Sequence, residues 1–136
     1  MKMSDTYIND QLSTAQKLLW SGSLHEVDEA HIGEIELLFP DSIRFSAFSS
    51  QFAQSQTLII DNIGMLSLLY QYAKVAYIGG GFGVGIHNTL EAAAFGLPVI
   101  FGPKFDKFQE AKDLIAIGAA KSISSTTDLI NAFEGF

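Results

Sequence analysis

The chain has no cysteine, which excludes disulfides and thiolate metal sites. It is short of positive charge, with 8 Lys and Arg against 15 Asp and Glu and a net charge of −7. Phosphate backbones need a basic patch, so a nucleic-acid partner is disfavoured. The same sign argues against an anionic membrane surface for this stretch. No apolar run approaches the ~18 residues of a membrane span. The polar start, Met1 to Gln11, lacks the apolar core of a signal peptide. These absences suit a cytoplasmic protein. Charged residues of all kinds make up only 17% of the chain, below the usual share of about 25%.

Apolar residues fill that space. They are 48% of the 136 residues, and 11 are Phe. One domain of this length can bury a real core. The surplus implies a large core or a surface that normally meets a partner, so self-association through exposed apolar area is expected.

The order of elements reads as helix and strand in alternation. Ile8, Leu12, Ala15 and Leu19 recur at helical steps, and Ser21-Gly22-Ser23 breaks that helix. A second helix is expected from Glu26 to Phe39, ended by Pro40. Ser42–Phe48 reads as a strand, Thr57–Ile60 as an apolar run ending in Asp61, Met65–Ala73 as a helix and Val75–Ile78 as a strand. A helix is expected from about His87 to Phe95, stopped by Gly96. Leu97–Phe101 is a strand, Phe108–Ile117 a helix closed by Gly118, and Ala119–Ile123 a last strand. Thr126 or Thr127 is expected to cap a final helix. Short apolar strands alternating with helices predict an α/β fold, a Rossmann-like parallel sheet with helices on both faces. Ligands in such folds sit beyond the carboxyl ends of the strands.

The strongest chemical signal follows the strand ending at Ile78. Gly79-Gly80-Gly81-Phe82-Gly83-Val84-Gly85 places five glycines in seven residues between a strand and a helix. Glycine permits positive φ and close approach of a ligand, and a helix start offers unpaired N–H groups to a phosphate. The spacing is neither G-x-G-x-x-G nor a Walker A, so a plain tight turn also explains it. Asn88 and Glu91 stand three apart, on one face of an expected first helical turn. Asn offers amide donors to a phosphate, and Glu accepts from ribose hydroxyls. The same pair also reads as a capping box, with Asn88 at the cap.

The run Tyr77-Ile-Gly-Gly-Gly-Phe-Gly-Val-Gly-Ile-His-Asn-Thr-Leu-Glu91, then Phe95-Gly-Leu-Pro-Val-Ile-Phe-Gly-Pro103, then Phe108 and Glu110, resembles the donor domain of bacterial 3-deoxy-D-manno-octulosonic acid (Kdo) transferases. Ile59 to Leu66, with Leu69-Tyr70, resembles that family's preceding motif. The likeness runs over roughly residues 24 to 133, leaving 1–23 as a helical lead-in and 24–136 as the donor-binding domain.

The resemblance implies one half of a GT-B glycosyltransferase, with CMP-Kdo as donor and a lipid A precursor as acceptor. It implies donor contacts at Gly83, Gly85, His87, Asn88 and Glu91, and no cofactor or metal. His25 stands where the family carries a donor-facing motif, although Gly22-Ser23-Leu24 lacks its proline; an exposed loop histidine is the alternative. The family's catalytic carboxylate belongs to an acceptor domain, so none is assigned here. The chain is therefore expected to be a fragment without transfer activity, of a protein that works at the cytoplasmic face of the inner membrane.

Other signals are weaker. His25, Glu26, Glu29 and His31 do not have H-E-x-x-H spacing and read as a solvated face. Asp61-Asn62 suits either a cleft or a turn. Lys104 and Lys107 suit either an anionic donor or ordinary surface. A non-catalytic module binding a nucleotide sugar or another anion is the competing function. A signalling receiver would carry an acidic pair after its first strand, and none is present.

Overall fold

The computed structural model describes residues 29–47, 57–61 and 66–136. The opening helix expected before Trp20, and His25, lie outside the described residues. Helix α1 spans Glu29–Leu38, strand β1 Ser42–Arg44 and strand β2 Thr57–Ile59. Helix α2 spans Leu66–Tyr70, β3 Ala76–Ile78, α3 Leu90–Ala94 and β4 Val99–Phe101. Helix α4 spans Gln109–Ala116, β5 Ala120–Ser122 and α5 Thr126–Glu134.

β1 and β2 pair in parallel with Ile43 opposite Leu58. α1 packs on this pair through Ile32 and Ile35, which bury against Ile59. Arg44 ties the helix to β1 from outside. Its guanidinium forks onto both Glu36 carboxylate oxygens at 2.7 and 2.9 Å and reaches Glu29 at 2.7 Å. The hydrogen bond from Arg44 holds the Glu36 carboxyl below the ordinary carboxylate range. The strand expected to run on to Phe48 stops at Arg44, and Phe45–Ala47 turn as a 3₁₀ segment. Asp61, just beyond β2, accepts from the Ser46 N–H at 3.0 Å and from the Ser46 hydroxyl. Burial pushes the Asp61 carboxyl up, but the two Ser46 bonds, its own backbone N–H and the Arg44 charge together hold it low. Asp61 is thus committed to joining the ends of β1 and β2, as a turn signal would require.

The second sheet, in the order β3-β4-β5, is parallel throughout. All three residues of β3 and of β4 are buried. Successive side chains in a strand point to opposite faces, so each strand feeds two cores. Ala76, Ile78, Val99 and Phe101 face one side, where Tyr70 of α2, Ala92 of α3 and Ala111 of α4 cover them. Tyr77 and Ile100 face the other, under Leu129 and Ala132 of α5. Helices on both faces explain why β3 and β4 read as continuous apolar runs rather than alternating ones. The expected α/β architecture is therefore present. Pro98 stands just before β4, where its missing N–H costs no ladder bond while its carbonyl accepts from Ala76 at 2.9 Å.

Helix ends follow the glycines. Gly96 and Gly118 turn the chain out of α3 and α4 with φ of +73° and +77°. The α5 cap is Ser125 rather than Thr126 or Thr127, since the hydroxyl one residue earlier is the one placed to accept from the Asp128 N–H, at 3.1 Å. Asp128 in turn accepts from the Ser124 N–H at 2.9 Å, which closes a reciprocal box. That bond and those from Ser125 hold the Asp128 carboxyl below its ordinary range.

Losing this cap removes the partner of a part-buried helix-end N–H. Ser125→Ala should cost about 1 kcal/mol of unfolding free energy, read by urea denaturation with an unchanged slope. A variant as stable as the wild type would remove the cap's role.

Candidate functional site

β3 and β4 lie side by side, so the loops leaving their carboxyl ends, 79–89 and 102–108, also meet. They meet backbone to backbone. A Cβ on Gly81 would lie 2.5 Å from the Gly102 nitrogen, and one on Gly102 would lie 2.6 Å from the Gly81 carbonyl carbon. Neither position has room for any side chain. Gly80 turns the first loop at φ +87°, with a Cβ there blocked by the Gly85 carbonyl.

Internal hydrogen bonds then fix the glycine loop. The Gly80 carbonyl accepts from the N–H groups of Gly83 at 2.9 Å and Gly85 at 3.2 Å. The His87 N–H donates to the Gly79 carbonyl at 3.1 Å. Lys104 of the second loop binds three points of the first. Its N–H donates to the Gly81 carbonyl at 3.0 Å, its carbonyl accepts from the Ile86 N–H at 3.3 Å, and its Nζ donates to the Gly83 carbonyl at 2.6 Å. Phe105 and Phe108 anchor the second loop in the core, with Phe105 5.3 Å from the Phe101 ring.

The structure brings Gly83, Gly85, His87, Asn88 and Glu91 onto one continuous segment at the strand ends. Gly83, His87, Asn88 and Glu91 are exposed there, and Gly85 is half-buried beside Phe108. Two expectations need correction. The helix does not begin at His87 but at Leu90: the Ile86 and His87 N–H groups donate to the Lys104 and Gly79 carbonyls, and Thr89 is the cap. Asn88 and Glu91 therefore do not share the first turn of α3. Asn88 precedes the helix, and its Oδ1 accepts from the Leu90 N–H at 3.0 Å. The cap itself is Thr89, so Asn88 is not the N-cap of the alternative reading; the bond engages Oδ1 and leaves the Nδ2 end of the amide as the donor. Among the described residues Glu91 makes no return bond to Asn88, so its carboxylate is not committed to a capping box.

Thr89, between them, is fully buried, and its Oγ1 has no hydrogen-bond partner. Sequence reasoning missed Gly102 and left Lys104 open. Gly102 read only as half of a Gly-Pro turn, and nothing local shows that its hydrogen faces another glycine. Lys104 read equally well as ordinary surface, because a lysine's contact with a distant carbonyl leaves no mark in the sequence. Among the described residues no three carboxylates or imidazoles converge as a metal site would require.

The two glycines should be intolerant in a way that exposed loop glycines are not. Gly81→Ala or Gly102→Ala should lower the melting temperature by several degrees, since backbone and not a movable side chain must give way. Gly83→Ala, whose Cβ meets nothing nearer than 3.5 Å, should change it little. Equal melting temperatures for all three would contradict the contact.

No protein-family profile matches the chain. Individual proteins do. The 3-deoxy-D-manno-octulosonic acid transferase of Chlamydophila psittaci is 37% identical over 95 residues, covering 66% of this chain and 22% of that protein. The enzyme of the same name from Aquifex aeolicus is 32% identical over 98 residues, covering 68% and 28%. That from Chlamydia trachomatis is 30% identical over 129 residues, covering 87% and 29%. The chain thus spans under a third of the length of these relatives. Among solved structures, the C-terminal CMP-Kdo binding domain of WaaA from Acinetobacter baumannii superposes with a TM-score of 0.67 at 24% identity, over 78% of this chain and 58% of that one. That likeness supports the fold, and the sequence matches carry the kinship: over the region they share, the chain is homologous to 3-deoxy-D-manno-octulosonic acid transferases.

Proposed function

We propose that this chain is the donor-binding half of a GT-B glycosyltransferase that transfers Kdo from CMP-Kdo to a lipid A precursor. The observation that carries the reading is the exposed Asn88 and Glu91 at the end of a glycine loop on the carboxyl edge of a parallel sheet. Kinship with Kdo transferases supplies the substrate class. The solved C-terminal domain that shares the fold is described as binding CMP-Kdo.

In this proposal the donor lies along residues 83–91. The Asn88 amide meets the phosphate with its Nδ2, since Oδ1 is held by Leu90. The Glu91 carboxylate accepts from the ribose hydroxyls. Gly83 and Gly85 leave room for the donor to lie close, and His87 borders it. The loop's rigidity matters here, because a preformed site loses less entropy on binding. Transfer itself needs an acceptor-binding partner half with its own catalytic carboxylate. Among the described residues no helix is long and apolar enough to cross a membrane.

A hydrogen bond to a charged group contributes roughly 1.5–3 kcal/mol, so Asn88→Ala and Glu91→Ala should each weaken CMP binding about ten- to a hundredfold. Glu91→Ala should matter less with deoxycytidine monophosphate, which lacks a hydroxyl partner. Calorimetric titration with melting curves alongside checks this. Affinity lost at unchanged stability supports the site. Stability lost at unchanged affinity reduces both residues to helix capping.

A further inference from the structure

We propose that Lys104 supplies the positive charge of the anion site, its ammonium moving from the Gly83 carbonyl to the phosphate of a bound nucleotide. The inference rests on the donor-site reading above and adds to it a residue from outside the glycine loop. It follows from where the loop's donors already point.

A glycine loop commonly takes phosphate with a concave row of backbone N–H groups. Here four of those groups are engaged. Gly83 and Gly85 donate to Gly80, His87 to Gly79 and Ile86 to Lys104. The helix beyond offers little more. α3 is five residues long, so its dipole is small, and the Leu90 N–H already donates to Asn88. The surrounding protein opposes an anion, with a net charge of −7. A side-chain cation would therefore favour a phosphate bound beside this loop.

Lys104 is placed to be that cation. Its Nζ stands 2.6 Å from the Gly83 carbonyl, at the exposed side of the loop. Backbone bonds on both sides of the residue, to Gly81 and from Ile86, fix the base of the side chain. The four-carbon stem beyond that base is flexible, so the ammonium can move while its root stays still. A phosphate oxygen is a stronger acceptor for an ammonium than a neutral carbonyl, which gives the movement a direction. Releasing the Gly83 carbonyl exposes it to water and leaves no buried group unpaired, because Gly83 is exposed.

The test compares CMP with cytidine, which shares the base and ribose but lacks the phosphate. The wild type, Lys104→Met and Lys104→Arg are titrated with each. Lys104→Met should bind CMP about fivefold to tenfold more weakly with cytidine affinity unchanged, and Lys104→Arg should keep most of the CMP affinity. Equal weakening of both ligands would make Lys104 only a brace for the loop, and undiminished CMP binding by Lys104→Met would remove any role; either overturns the proposal. A wild type that binds neither ligand overturns the donor-site reading itself, and this inference with it. A wild type that binds CMP regardless of residue 104 overturns the inference alone.

Discussion

Two glycine backbones in contact, Gly81 after β3 and Gly102 after β4, set the geometry of the strand-end rim. Parallel neighbours bring their carboxyl ends to the same edge, so the chain leaving each strand competes for the same space. With no side chain at either position the two loops close to van der Waals contact, and Lys104 can then reach three separate points of the first loop. The glycine loop is held by those bonds and by its own Gly80 hub. Ile86 and His87 are bonded to Lys104 and Gly79, and α3 starts only at Leu90, so Asn88 lies before the helix and Glu91 within it.

This arrangement separates the jobs of backbone and side chain. In many phosphate-binding loops the backbone N–H groups hold the ligand. Here four of those near the glycines, on Gly83, Gly85, Ile86 and His87, hold the loop, and the polar side chains around it, Asn88, Glu91 and Lys104, are exposed. A rigid frame with a few convergent polar groups is the usual make-up of a small-molecule site. Among the described residues the buried Thr89 hydroxyl has no hydrogen-bond partner, a local cost of this arrangement. Such a group costs more than an apolar side chain of the same shape would.

Much of the sheet was legible in the sequence because β3 and β4 are buried on both faces, which writes a dense apolar run bounded by Gly and Pro. The stops at Gly96 and Gly118 were legible for a local reason, the positive φ that ends each helix. The start of α3 was not, because the bonds of Ile86 to Lys104 and of His87 to Gly79 that precede it depend on the folded loops. β1 was read too long for a similar reason: Asp61, 15 residues away, draws Ser46 into a turn. The α5 cap was misplaced by one residue, among four consecutive Ser and Thr hydroxyls that the sequence does not distinguish. The motif residues themselves were visible, whereas Lys104 and Gly102 acquire meaning only when two distant loops meet.

The central claim is that a cytidine nucleotide binds on the carboxyl edge of β3 and β4, and backbone amide NMR of the labelled chain during a CMP titration tests it most directly. The account predicts that shifted resonances concentrate in residues 79–91 and 102–108, while those of α1 and α5 stay in place. Changes centred on α1 or α5, or no changes at saturating CMP, would contradict it.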